Sequence, residues 1–222
     1  MHGEIVGANA VKALRVLFPD RKWNFVEVTV DRAELMLNRN EHIKHSLKPM
    51  VSVIDDSIGC ALWFAARGRG TVNGKKYISP AKYVYIGMGS DELLAGYSRH
   101  RQVFRTGGWK ALAQQLKIEL SRMWERNSGR DDRVFFDNCR VSLLPYVDED
   151  FVAAVNQLPI WVKADLRYKR GIGEKIILRA ALWKLGFGSL AFGNKIAIQF
   201  GSRIAKFEKR SEKGSDICDR LL

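Results

Sequence analysis

Apolar positions recur three and four apart over residues 7–18 and place Val11, Leu14 and Leu17 or Phe18 on one face. That spacing predicts a helix, which Pro19-Asp20 ends. The period then changes. Trp23-Asn24-Phe25-Val26-Glu27-Val28-Thr29-Val30 alternates and is rich in β-branched residues, so a strand is predicted over 23–30. Asp31 stands where a helix over 32–40 needs its cap. A helix feeding a strand reads as entry part-way into an alternating α/β pattern. Residues 41–56 read as a connector ending in Asp55-Asp56-Ser57. Ile58 to Ala66 is nearly all apolar, which predicts a buried helix with Asp56 or Ser57 as N-cap and Arg67-Gly68 as its close. Residues 68–80 are polar and contain glycine, the composition of a loop.

The stretch Lys82-Tyr83-Val84-Tyr85-Ile86-Gly87-Met88-Gly89-Ser90-Asp91-Glu92 organises the rest. Tyr83 to Ile86 suits a short buried strand. Gly87 and Gly89 permit a tight turn and close backbone approaches. Ser90 is expected to cap a helix, with Asp91 and Glu92 in its first turn. In open α/β sheets ligands bind just beyond such strand ends. Amides and a carboxylate there could hold phosphates through Mg²⁺, whereas the bland reading is capping alone.

Further on, Gly107-Gly108 precedes an amphipathic helix whose stripe is Trp109, Leu112, Leu116, Leu120 and Met123, a packing face that requires no chemistry. Gly129-Arg130-Asp131-Asp132-Arg133 reads as a solvated or internally paired loop, with a metal or phosphate site as the alternative. Asp148 caps a predicted helix over 149–157, ended by Leu158-Pro159. Lys163 lies in a connector, and another helix begins at Gly173-Glu174-Lys175. Residues 205–222 read as a charged, frayed tail.

Composition narrows the class. The chain has 222 residues, 46% of them hydrophobic, enough for one sizeable domain with no visible internal boundary. The net charge of +13 favours anionic partners: nucleotides, nucleic acid or acidic surfaces. No RNA-binding aromatic signature or zinc spacing accompanies it, so nucleic acid is disfavoured. Three widely spaced cysteines fit free thiols in a reducing compartment. No segment reads as membrane-spanning or as a signal peptide, which makes the cytoplasm the expected location.

Gly87-Met88-Gly89-Ser90-Asp91-Glu92-Leu93-Leu94-Ala95-Gly96-Tyr97 resembles the second signature of the asparagine synthetase C-terminal domain family. Ser98-Arg99-His100-Arg101 and Gly129-Arg130-Asp131-Asp132-Arg133 narrow the resemblance to one branch. Leu143-Leu144-Pro145-Tyr146-Val147-Asp148, Glu174-Lys175-Ile176-Ile177-Leu178-Arg179 and Asn194-Lys195-Ile196 are similar to later family elements. The likeness runs from about Ala8 to Cys218. It implies an α/β fold of the adenine-nucleotide α-hydrolase type: a Rossmann-like, doubly wound parallel sheet followed by a mostly helical part. It implies a ligase of asparagine biosynthesis that uses ATP and Mg²⁺ to convert aspartate, through β-aspartyl-AMP, to asparagine. By resemblance, Gly87, Gly89 and Ser90 line the nucleotide site, with Asp55, Asp56 and Ser57 bordering it. Asp91 is the implied Mg²⁺ ligand, and Lys175 and Lys195 the implied catalytic contacts to phosphate or intermediate.

Three departures qualify this. The family's Ser-Gly-Gly-x-Asp-Ser pyrophosphate loop is absent, as is the glutaminase domain, and Met88 stands where synthetases carry Glu. A thioether is neither acid nor base. The expectation is therefore a partial domain with unpaired strand edges, paired with itself or with a partner chain that covers them. A catalytically inactive relic that acts as a binding or interaction module is the alternative to the ligase.

Overall fold

The computed structural model describes residues 2–123, 128–206 and 212–222. They divide into two compact units, each discontinuous in sequence. The first gathers residues 1–84, 129–142 and 196–222, and the second 85–128 and 143–195. The chain is mixed α and β, mostly helical, and its strands form two two-stranded sheets.

In the first unit, α1 spans His2–Leu17. The strand predicted over 23–30 does not form. Glu27 alone exchanges two backbone hydrogen bonds with Thr71, at 2.8 and 2.9 Å. β-branched residues favour a strand only where a partner continues the ladder, and none does so here. Val26, Val28 and Val30 instead line an apolar hollow of about 510 Å³ with Leu35, Ala61 and Phe64.

Asp31 caps α2 (Arg32–Asn38) as expected and accepts the Glu34 N–H at 2.8 Å. The expected connector is in part helical: a π turn, Arg39–Ile43, leads into α3 (Lys44–Leu47). Leu35, Arg39, Ile43 and Leu47 are all buried. Burial every fourth residue would drift around a straight α-helix of 3.6 residues per turn, and a wider π turn brings the residues back to one face.

Helix α4 runs Val53–Arg67, longer than predicted, and ends at Gly68 in the left-handed region as expected. Its N-cap is Ser52, not Asp56 or Ser57. Ser52 accepts the Asp55 amide at 3.2 Å, and residues 212–222, packed where a frayed tail is expected, serve the amides before it. Asp216 and Gly214 carbonyls accept the first α4 amides, those of Val53 and Ile54, each at 2.9 Å. Cys218 N–H donates to Val51 O at 2.7 Å, and Cys218 and Leu221 are buried. Residues 207–211 of that tail lie outside the described residues. Residues 68–80 form a hairpin, not a loop: β1 (Arg69–Val72) pairs antiparallel with β2 (Lys75–Ile78) across Asn73-Gly74. Both turn residues have positive φ, the geometry that Asn-Gly favours.

β3 (Tyr83–Tyr85) and β4 (Val141–Leu143) form the other sheet. Val141 N–H donates to Lys82 O at 2.8 Å and Ile86 N–H to Leu143 O at 3.0 Å. Partners advance together along both segments, as in a parallel pair. Tyr83 and Tyr85 are 64% and 76% exposed, so the expected buried strand is not found. The predicted loop at 129–133 is the start of α7 (Gly129–Phe136).

The second unit is built around α6 (Ser98–Met123), which changes direction at Gly108 (φ 63°). Leu112 and Leu116 pack with Ala95, Ala164 and Leu166. Leu93, Leu94 and Val155 form a second cluster, with Leu120, Phe151 and Ile177 against it. Asp148 caps α8 (Glu149–Asn156) through the Phe151 amide, as predicted. Lys163 ends a short helix, α9 (Ile160–Lys163), where a connector is expected. Helix α10 covers Ile176–Lys184.

Candidate anion-binding site

The Gly87-to-Glu92 turn in the second unit carries the candidate site. Gly89 (φ 89°) takes the N-cap position, where Ser90 is expected, because the chain must enter the left-handed region there. Ser90 becomes the first residue of a single helical turn, α5 (Ser90–Leu93). Its hydroxyl turns back and donates to Gly87 O at 2.7 Å. A Cβ on Gly89 would press on the Tyr146 carbonyl and the Met123 sulfur.

Asp91 is met by two ammonium groups. Lys175 Nζ lies 2.8 Å from Oδ1 and Lys195 Nζ 3.5 Å from Oδ2. Lys175 Nζ also donates to Ser90 Oγ at 2.9 Å. The chain brings Lys175 there in the left-handed region (φ 54°), which delays the start of α10 to Ile176. Its N–H donates to Leu94 O at 3.0 Å. Non-glycine residues held at positive φ need surroundings that over-determine them. Glu174 supplies some of these: it accepts from Arg101 and from the Gly171 amide, both at 2.9 Å. Arg179 donates to Glu174 O at 2.8 Å and to the Ala191 and Gly193 carbonyls, which ties the loop before Lys195 to α10.

A second layer surrounds this group. Tyr97 OH donates to the buried Glu92 at 2.6 Å. The Tyr97 ring has Lys195 Nζ 5.0 Å and Arg99 Cζ 4.0 Å from its centroid. Burial, then the charge of Glu92, push the Tyr97 hydroxyl up, so it remains a donor at neutral pH. Arg99 binds Glu119 through two hydrogen bonds, at 2.6 and 2.8 Å. His100 Nδ1 accepts the Tyr97 amide at 3.2 Å, which leaves the ring hydrogen on Nε2, 3.1 Å from Glu119. Burial resists the Glu119 charge, but hydrogen bonds from His100, Arg99 and Gln115 overcome it and hold the carboxyl down at about 2.

The structure thus brings together Gly87, Gly89, Ser90, Asp91, Lys175 and Lys195. Asp55, Asp56 and Ser57 belong to the first unit. Asp55 accepts from Arg130 at 2.7 Å and exchanges hydrogen bonds with Ser52. Asp56 is fully buried between Arg39 (2.9 Å) and Arg220 (3.3 Å), and Ser57 is buried beside it. Arg130 also binds Asp131, so the 129–133 cluster is internally paired, as expected, although helical. Glu92, Tyr97, Arg99 and Glu119 are the site's supports that sequence reasoning missed. The signal available was Glu92 five residues before Tyr97, just where one helical turn ends.

Two ammonium groups converge on one carboxylate, with the buried Glu92 balancing the second charge behind Tyr97. If an anion takes the place of Asp91, the pair suits a phosphoryl oxygen. Mg²⁺ is a different matter. Both Asp91 oxygens face ammonium groups, and among the described residues no cluster of three His, Cys, Asp or Glu could hold a metal. These residues do not by themselves fit a resident Mg²⁺. Among the described residues, no helix is long and apolar enough to cross a membrane.

Relatives share almost the whole chain. It is 49% identical over 98% of its length to asparagine synthetase domain-containing protein 1 of Gallus gallus. The same identity and coverage hold for the protein of that name in Homo sapiens. An asparagine synthetase domain-containing protein of Drosophila melanogaster is 36% identical over 96% of the chain. These matches take in 35%, 34% and 37% of the respective relatives, so the chain spans about a third of the length of the curated proteins it matches. No family model matches the chain.

Proposed function

We propose, on the premise that this chain is a homologue of the asparagine synthetase domain-containing proteins, that its second unit binds the phosphates of an adenine nucleotide through Lys175 and Lys195. The observation that supports this reading is the pairing of both ammonium groups with Asp91 beside a glycine turn. Asp91 then acts as a stand-in anion: it holds two partly exposed ammonium groups at the place a phosphoryl oxygen would occupy. Binding exchanges one anion for another, and the lysines stabilise charge that develops on the phosphoryl group.

In the reaction we assign to the family, ATP activates the aspartate side chain as β-aspartyl-AMP, and ammonia then gives asparagine. Lys175 and Lys195 would contact pyrophosphate or the intermediate, with Gly87, Gly89 and Ser90 shaping the turn beneath. The parallel pairing of β3 and β4 supports placing them as neighbours in a doubly wound sheet.

Calorimetry with inorganic pyrophosphate and with ATP tests the reading. Binding is expected in the low-salt micromolar range and should fall at least tenfold in Lys175→Ala and Lys195→Ala. Unchanged affinity in both variants would end it. A second reading, a binding module without turnover, is favoured by Met88 in the turn. Pyrophosphate binding without aspartate-dependent exchange of pyrophosphate into ATP would select it.

A further inference from the structure

We infer that Tyr97 is the positioning residue for the Lys195 ammonium, and that its aromatic face, not its hydroxyl, does this. The inference rests on the anion-binding reading above. Lys195 sits on a connecting segment after Phe192 and is partly exposed, so nothing in its own backbone aims its side chain. A flexible four-carbon stem has many rotamers and loses them on ordering. Two contacts select one: the Asp91 carboxylate at 3.5 Å and the Tyr97 ring at 5.0 Å. The first is lost whenever an anion draws the ammonium away from Asp91. The ring attracts cations without competing for them as an anion would, so it can keep hold of the side chain through that exchange.

The ring itself is fixed at several points. Glu92 anchors its hydroxyl at 2.6 Å, and Arg99 lies against it at 4.0 Å. Arg99 is in turn clamped by Glu119, which receives His100 and Gln115 as well. His100 accepts the Tyr97 backbone N–H, closing the loop from backbone to ring. Such fixing exceeds what packing of a partly buried tyrosine requires, and it orients the ring face toward one lysine.

The test uses the full chain and inorganic pyrophosphate as probe. Tyr97→Phe keeps the ring and is expected to bind within twofold of wild type. Tyr97→Leu removes the ring and is expected to lose roughly three- to fivefold. In a Lys195→Ala background, Tyr97→Leu should cost nothing more, which a general structural loss would not reproduce. Wild-type affinity in Tyr97→Leu, or additive losses in the double variant, would overturn the inference. A ligand-free readout separates it from the anion-binding reading. The ε-methylene proton resonance of Lys195 should be shifted upfield by the ring in wild type and Tyr97→Phe. An unshifted resonance in wild type refutes the positioning even if pyrophosphate binds. A shifted one supports it even if pyrophosphate does not.

Discussion

Lys175 Nζ lies 2.8 Å from Asp91 Oδ1, and the space that lets them meet is the missing side chain of Gly96. A Cβ there would collide with Asp91 Oδ1 and crowd Lys175 Cε. Gly96→Ala is therefore expected to destabilise the second unit by roughly 1–3 kcal/mol and to weaken pyrophosphate binding. Gly87→Ala, with nothing near its added methyl, should stay within about 0.5 kcal/mol in the same denaturation assay. Equal effects of the two would contradict the assigned packing.

Leu112 is fully buried among Ala95, Leu116, Ala164 and Leu166. Leu112→Ala should cost about 2–5 kcal/mol, since packed neighbours relax only in part into the void. A lowered urea midpoint at constant slope is the expected signature.

Glu119 makes stability depend on acid. Its carboxyl is held at about 2 when folded against 4.5 when free, so the folded state binds the proton less well. Its contribution is complete above about pH 4.5 and is lost as pH falls toward 2. Glu119→Gln should be less stable than wild type at pH 7, on the order of 2 kcal/mol. The difference should shrink by pH 3. A gap that stays constant with pH would assign the stability to packing alone.

The three thiols differ in environment. Cys139 is exposed, whereas Cys60 and Cys218 are buried. Burial first, then the Asp56 charge, push both buried thiols up. A thiol reagent at pH 8 should label one cysteine rapidly in the native chain and all three in denaturant. Rapid native labelling of Cys218 would show that residues 212–222 detach readily.

Much of the second unit could be read from sequence. The stripe from Leu112 to Met123 and the Asp148 cap are local signals, and local signals survive in the fold. The cap of α4 was legible but missed, since Ser52 accepts the amide of Asp55 three residues on. What could not be read is that the Asp216 and Gly214 carbonyls, far away in sequence, take the amides of Val53 and Ile54. The strand over 23–30 failed for the same reason: a ladder needs a partner, and alternation cannot say whether one is present. The β1–β2 hairpin was legible but missed. Asn73-Gly74 between Val72 and Lys75 is a strong turn signal, obscured by the polar composition around it. At the site, motif resemblance picked out Lys175 and Lys195, yet nothing in the motif indicates that both meet Asp91 or that Tyr97 lies under Lys195.

The carbonyls of Gly214 and Asp216 close the first turn of α4, and this sets an order of events during synthesis. On the ribosome, Val53 and Ile54 emerge on the order of ten seconds before the residues whose carbonyls they need. Until then the start of α4 must rely on Ser52 and on water. The first unit cannot mature segment by segment, whereas the residues of the second all precede Ile196. The earlier-finished unit is thus the one that carries the lysines. A chain released after about residue 200 should already bind pyrophosphate while its first unit still lacks residues 212–222.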